Sequence, residues 1–191
     1  MDETLLVWIN QGLAHPWLDV FFTWASAKIG FALPVALLIL AVSAWQFGWR
    51  GVKLWLLLAI VVGAADALGN LLKHMIAQPR PCYEVYELLR LEARCGANLT
   101  GMPSNHTLNF FTAAALLSVI TRARAWTVVL FAVALAVGVS RIYLGKHYPS
   151  QVMASAVLGA AWGWLAAWLA LKYFSFAAFV RARSQPAAHT P

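Results

Sequence analysis

Long apolar runs separated by short polar ones set the pattern of this chain. Five runs, at 29–45, 52–75, 104–120, 126–144 and 147–174, each come close to the roughly 20 residues a helix needs to cross a hydrocarbon core about 30 Å thick. They predict five membrane helices. Pro34 falls inside the first run, where neighbouring helices can satisfy the backbone group it frees. Ahead of the runs, residues 4–14 put Leu5, Trp8, Ile9, Gly12 and Leu13 on one helical stripe, with Asn10 and Gln11 opposite. That is the pattern of a helix lying in the interface. His15-Pro16 ends it, and WLDVFFTWASAK continues as a second short amphipathic piece. The alternative is one kinked span over 4–27, which the polar interruptions disfavour. A connection at 78–102 carries Glu84, Glu87, Arg90, Glu92 and Arg94, and a link of that length in a small bundle is more often functional than idle. The tail, 176–191, reads as disordered.

Composition agrees with the pattern. The chain has 191 residues, 62% of them hydrophobic and 11% charged, with a mean hydropathy of +0.70, well outside the range of soluble domains. The expected fold is all-α: a polytopic membrane bundle of five to six spans over 28–175, preceded by an interfacial segment over 1–27. The formal charge of +7 does not mark a nucleic-acid binder, because the basic residues are scattered among short loops. Anionic headgroups or a phosphorylated lipid suit them better. Cys82 and Cys95 share the polar connection, and spacing alone leaves them either bridged or as two thiols. No zinc-type cluster accompanies them, and the first residues lack the basic stretch and cleavage site of a signal peptide. By alternation, Arg50, Lys53, Arg122, Arg124, Lys172, Arg181 and Arg183 fall on one side, which the positive-inside rule assigns to the cytoplasm. Trp45, Trp49, Trp55 and Trp126 form an aromatic belt there. Lys28, Lys73, Arg80, Arg90, Arg94, Arg141 and Lys146 make an equal count on the other side, but several of them belong to chemistry-bearing motifs.

Those motifs open on one face. Run two ends KHMIAQPRP, from Lys73 to Pro81; run three begins PSNH, Pro103 to His106; and SRIYLGKHYPSQ, Ser140 to Gln151, joins runs four and five. Charged groups at a membrane boundary are costly unless paired or used, although snorkelling can explain any one of them. Together they suit a phosphoryl group, whose transfer is governed by positioning and cationic donors. Arg80 and Arg141 can grip oxygens in pairs and Lys73 acts as a point charge. Ser104 stands where an N-cap belongs, and the amides after it form an anion site at a helix N-terminus.

The ordered set resembles the three signatures of the type 2 phosphatidic acid phosphatase superfamily, KxxxxxxRP, PSGH and SRxxxxxHxxxD, over roughly residues 60–160. GLAHPWLD, Gly12 to Asp19, is also similar to small bacterial members that dephosphorylate undecaprenyl diphosphate. The resemblance implies a lipid phosphate phosphatase in a bacterial inner membrane, its site facing the periplasm. It implies His147 as nucleophile, His106 as proton donor to the leaving oxygen, a phosphate cradle of Lys73, Arg80, Ser104, Asn105 and Arg141, and no metal or other cofactor. Two positions depart from the pattern. Asn105 replaces a glycine, and asparagine tolerates the backbone angles a glycine might need. Gln151 replaces the aspartate beside the nucleophile; its carbonyl can hold the ring but cannot offset an imidazolium. Three readings follow: hydrolysis of a polyprenyl diphosphate or phospholipid phosphate, phosphotransfer to another lipid, or a non-catalytic lipid-phosphate binding or transport protein. Asp66, with Asn70 and Lys73 on one helical face, is expected to pair inside the bundle, with a carboxylate role at the site as the alternative.

Overall fold

The computed structural model describes residues 1–27, 33–90, 95 and 99–173. The five predicted helices are all present: α3 (Leu33–Phe47), α4 (Trp49–Ile76), α6 (Asn105–Thr121), α7 (Arg124–Tyr143) and α8 (Pro149–Tyr173). Ahead of them lie two shorter pieces, α1 (Asp2–Val7) and α2 (Pro16–Ala25), and the four-residue α5 (Pro81–Glu84) stands between α4 and α6. α4, α7 and α8 are long and apolar enough to cross a membrane, and α3 is a shorter apolar helix. The protein is a multi-pass membrane protein. The expected disordered tail, Glu92, Arg94 and Lys28 fall outside the described residues.

α6 has the most polar beginning of the five because protein surrounds it. It packs against α4, α7 and α8, and Thr107 and Thr112 are fully buried within it. The seam with α8 is backbone on backbone. A Cβ added to Gly159 would lie 2.3 Å from Leu108 O, and one added to Gly163 would lie 2.3 Å from Thr112 O. Small residues four apart allow this approach, the way membrane helices gain packing without a hydrophobic driving force. Thr112 Oγ1 then donates to Gly159 O at 3.2 Å. Toward the other end of the bundle Leu54, Leu58, Val61, Leu116, Leu117, Ile120 and Ala167 form an apolar core.

The N-terminal segment keeps its apolar stripe on the outside, as a helix lying in the interface would. α1 runs into a wider turn at Trp8–Gly12, and Leu6 and Asn10 are the buried residues, whereas Leu5, Trp8 and Leu13 are exposed. The polar face was thus claimed by protein. Asn10 Nδ2 donates to Arg90 O at 2.9 Å and Tyr143 O at 2.7 Å, and its Oδ1 accepts from Arg90 N at 2.7 Å. A residue this satisfied can be buried at little cost. His15 caps α2 by accepting from Trp17 N, and Pro16 takes its first position, so the kinked single span is replaced by two helices. Asp19 on α2 pairs with Arg90 at 3.0 Å and accepts from the Tyr143 hydroxyl.

The polar connection is closed at its base. Pro79 pairs with Thr100 in an isolated antiparallel bridge, flanked by Gly101 N to Gln78 O at 2.7 Å and Arg80 N to Leu99 O at 3.1 Å. Cys82 and Cys95 form a disulfide with Cα atoms 6.2 Å apart, so the question left open by spacing is answered in favour of the bridge.

Candidate active site

Four chain segments converge at the end of the bundle where α4 and α7 finish and α6 and α8 begin. α4 stops when Ala77 adopts a left-handed conformation and its N–H caps Lys73 O at 3.0 Å. This leaves the Lys73 side chain, itself buried, at the helix end. Its ammonium donates to Asn105 Oδ1. Asn105 is the first residue of α6 and is absent from the described residues with positive φ, so the backbone freedom of a glycine is not used here. Ser104 occupies the N-cap position as expected, but its side chain makes no cap bond. Its hydroxyl is buried and accepts from Thr107 Oγ1 at 3.1 Å, while its N–H donates to Ser155 Oγ at 2.7 Å. His106 follows, half-buried in the first turn.

His147 lies outside α8, not at the head of the fifth span. α7 carries Arg141 in its last turn, Gly145 turns the chain at φ 66°, and the N–H groups of Lys146 and His147 both reach back to Arg141 O, at 2.9 and 3.2 Å. The ring is 2% exposed, with Nδ1 3.2 Å from Gln151 Oε1. Two neighbours fix which end of the Gln151 amide is oxygen: Tyr148 N donates to Oε1 at 3.3 Å, and Nε2 donates to Pro79 O at 2.9 Å. An acceptor facing Nδ1 keeps the proton there and leaves Nε2 as the lone-pair nitrogen. Space for this amide comes from Gly101, where a Cβ would stand 2.5 Å from Oε1.

Two buried arginines belong to the same end of the bundle. Arg80 is buried at the closed base of the connection, its Nε donating to Thr100 O at 3.1 Å. Arg141 is buried in the last turn of α7; its Nη1 donates to Ser26 Oγ, and its Nε has no partner among the described residues. Burial, then the charges of Arg141 and Arg80, and more weakly Lys73, hold the His147 imidazole well below its ordinary pKa, against a small upward pull from Gln151. Lys146 feels the same field: burial and then Arg141 and Arg80 bring its ammonium down to about 8.

The expected residues therefore meet, in two linked groups. Lys73 and Asn105 touch on the α4–α6 side; His147 and Gln151 touch on the α7–α8 side, and Gln151 reaches Pro79, next to Arg80. Ser155 joins them, accepting from Ser104 N and donating to Gln151 O at 2.5 Å. Asp66 pairs within the bundle, accepting from Asn70, Asn105 and Asn109. Sequence reasoning missed Ser26, Gly69, Gly101, Lys146 and Ser155. Ser26 lies 115 positions from Arg141, so no local spacing announces it, whereas Lys146 was readable as a cation beside His147.

Comparison with known proteins accords with this geometry. Over 178 residues the chain is 28% identical to the lipid A 4'-phosphatase of Bacteroides thetaiotaomicron, covering 90% of this chain and 78% of that protein. It is 30% identical over 134 residues to the undecaprenyl-diphosphatase BcrC of Bacillus subtilis, covering 69% and 66%. The crystal structure of Aquifex aeolicus LpxE matches with a TM-score of 0.70 at 28% identity, over 90% of this chain and 95% of that one. The sequence pattern of the PAP2 superfamily matches residues 53–175, and the chain belongs to that family of lipid phosphatases.

Proposed function

We propose that this protein hydrolyses the phosphate ester or diphosphate of a membrane lipid at the outer face of a bacterial inner membrane, through a phosphohistidine on His147. The observation that carries the reading is a buried imidazole whose Nδ1 faces Gln151 Oε1 and whose pKa is held low by burial and by the charges of Arg141, Arg80 and, more weakly, Lys73. In the first step His147 Nε2 attacks phosphorus, and the bond from phosphorus to the leaving oxygen breaks. His106, at the start of α6, gives that oxygen a proton. Water then attacks the phosphohistidine, releasing inorganic phosphate and restoring the imidazole. Arg80, Arg141, Lys73 and the first amides of α6, after Ser104 and at Asn105, take up the charge on the equatorial oxygens. Gln151 acts through His147 and is a positioning residue.

Lipid A, polyprenyl diphosphate and phospholipid phosphates are the substrate classes to try, the first two because similar proteins carry those names. The disulfide in the connection supports a periplasmic face, since such bonds persist in oxidising compartments. The test is phosphate release from these lipids by purified protein in detergent with a metal chelator present, alongside His147→Ala. Release that the variant lowers by about a thousandfold or more is expected. Binding without release would overturn hydrolysis in favour of a lipid-phosphate carrier, and transfer of phosphate to an added lipid alcohol in preference to water would make it a transferase.

A further inference from the structure

The side of the site opposite His147 contains a polar ladder that the phosphatase reading does not use. Asp66 and Asn70 on α4 face Asn105 and Asn109 on α6. Asn105 Nδ2 donates to Asp66 Oδ1 at 3.0 Å, Asp66 O at 3.3 Å and Asn70 Oδ1 at 2.8 Å. Asn109 Nδ2 donates to the same Asp66 Oδ1 at 2.8 Å, and Asn70 Nδ2 donates to Asp66 Oδ2 at 3.2 Å. The remaining polar atom of the Asn105 side chain, Oδ1, receives the Lys73 ammonium. α4 makes room with Gly69, where a Cβ would fall 2.7 Å from Asn105 Oδ1 and 2.9 Å from Leu108 Cδ2.

A side-chain amide has one donor end and one acceptor end, and here each faces a charge that suits it. Turning the amide over would set NH₂ against the ammonium and oxygen against the carboxylate, so Asp66 and Lys73 lock it from both ends. A carboxylate inside a membrane helix is costly unless paired or used. Asp66 sits about 10 Å of helix rise from Lys73, too far along α4 for the two ends of that stretch to be neighbours by spacing alone. Asn105 bridges the gap.

We infer that Asp66 is a positioning residue of the phosphatase site: acting through the Asn105 amide, it holds the Lys73 ammonium where it meets substrate phosphate. The inference rests on the function proposed above and names a part of its anion grip. Asn105 thereby does with its side chain what a glycine in that place cannot.

A double-mutant cycle tests it, using Asn105→Leu, Asp66→Leu and the pair, with Asp66→Asn as the conservative variant. Asn105→Leu keeps the branched shape, at a larger volume, and removes both polar ends. The measurements are kcat and KM for phosphate release, the inhibition or binding constant of orthovanadate as a phosphate mimic, and the melting temperature. Each Leu variant is expected to weaken vanadate and raise KM about tenfold, with a smaller change in kcat. The pair should be no worse than the weaker single variant, because both act on one contact, and Asp66→Asn should stay within about threefold of wild type. Losses that multiply to about a hundredfold in the pair would overturn the inference. So would an Asp66→Leu protein with lowered melting temperature but unchanged vanadate binding, since that is a purely structural role. If wild type binds vanadate but hydrolyses none of the lipids, the hydrolase reading fails while the vanadate arm still decides the role of Asp66.

Discussion

The two flanks of the site use the same chemical group under different conditions. On the α4–α6 flank the Asn105 amide lies between an ammonium and a carboxylate, and on the α7–α8 flank the Gln151 amide lies between an imidazole and two backbone groups, Tyr148 N and Pro79 O. Each has a glycine beneath it, Gly69 for one and Gly101 for the other. The difference is electrostatic. Asn105 is held between two opposite charges, whereas Gln151 fixes a direction without one. Perturbing the first flank should therefore change how tightly an anion is held, and perturbing the second should change how well the His147 imidazole is aimed.

The largest effect is expected from Gln151→Leu. It strips partners from His147 Nδ1, Tyr148 N and Pro79 O at once, and kcat for phosphate release should fall by about two to three powers of ten with KM nearly unchanged. A change mainly in KM would break the comparison. Next come the two glycines. Gly101→Ala pushes on Gln151 and should lower kcat by about tenfold to a hundredfold, whereas Gly69→Ala pushes on Asn105 and should raise KM by about tenfold. Steady-state kinetics on folded protein distinguishes them, and the same profile from both would erase the distinction between the flanks.

Gln151→Asp sharpens the comparison through pH. Because His147 is held well below its ordinary pKa, the wild-type imidazole stays neutral through mildly acidic solution, and the acid limb of kcat/KM should lie well below pH 6.5. A carboxylate at 151 favours the imidazolium and would move that limb upward by about one unit. It would also oppose the Pro79 carbonyl that Gln151 Nε2 now satisfies, so the neutral-pH rate should drop about threefold, not rise. The smallest effect belongs to Lys146. With its ammonium at about 8, its charge is present below that pH and lost above it, so KM should climb about threefold between pH 7 and 9. Lys146→Met should flatten that limb.

Much of the fold was legible because lipid imposes a coarse rule: a helix long and apolar enough to cross must be written as one apolar run. That rule located α3, α4, α6, α7 and α8 to within a few residues. It said nothing of what covers the polar side of the N-terminal stripe, where Asn10 and Gln11 lie opposite Leu5, Trp8 and Leu13. Asn10 found backbone partners at Arg90 and Tyr143, up to 133 positions away, and a satisfied polar face buries as readily as an apolar one. The site was legible wherever chemistry is tied to spacing, as with Lys73 and Arg80 or Arg141 and His147. It was not legible where a side chain changes allegiance. Asn105 was expected to matter for its backbone, yet it begins an ordinary helix and acts through its amide. Ser104 was expected to cap, yet its hydroxyl turns to Thr107.

The glycine seam between α6 and α8 has a consequence for how the site keeps its shape. Gly159 and Gly163 press against carbonyls of the helix that carries His106, while their own helix carries Gln151 at its head. With main chain against main chain, the two helices have no cushion of side chains to compress. The first turn of α6, with His106, and the head of α8, with Gln151, are thus held at one spacing by main chain alone.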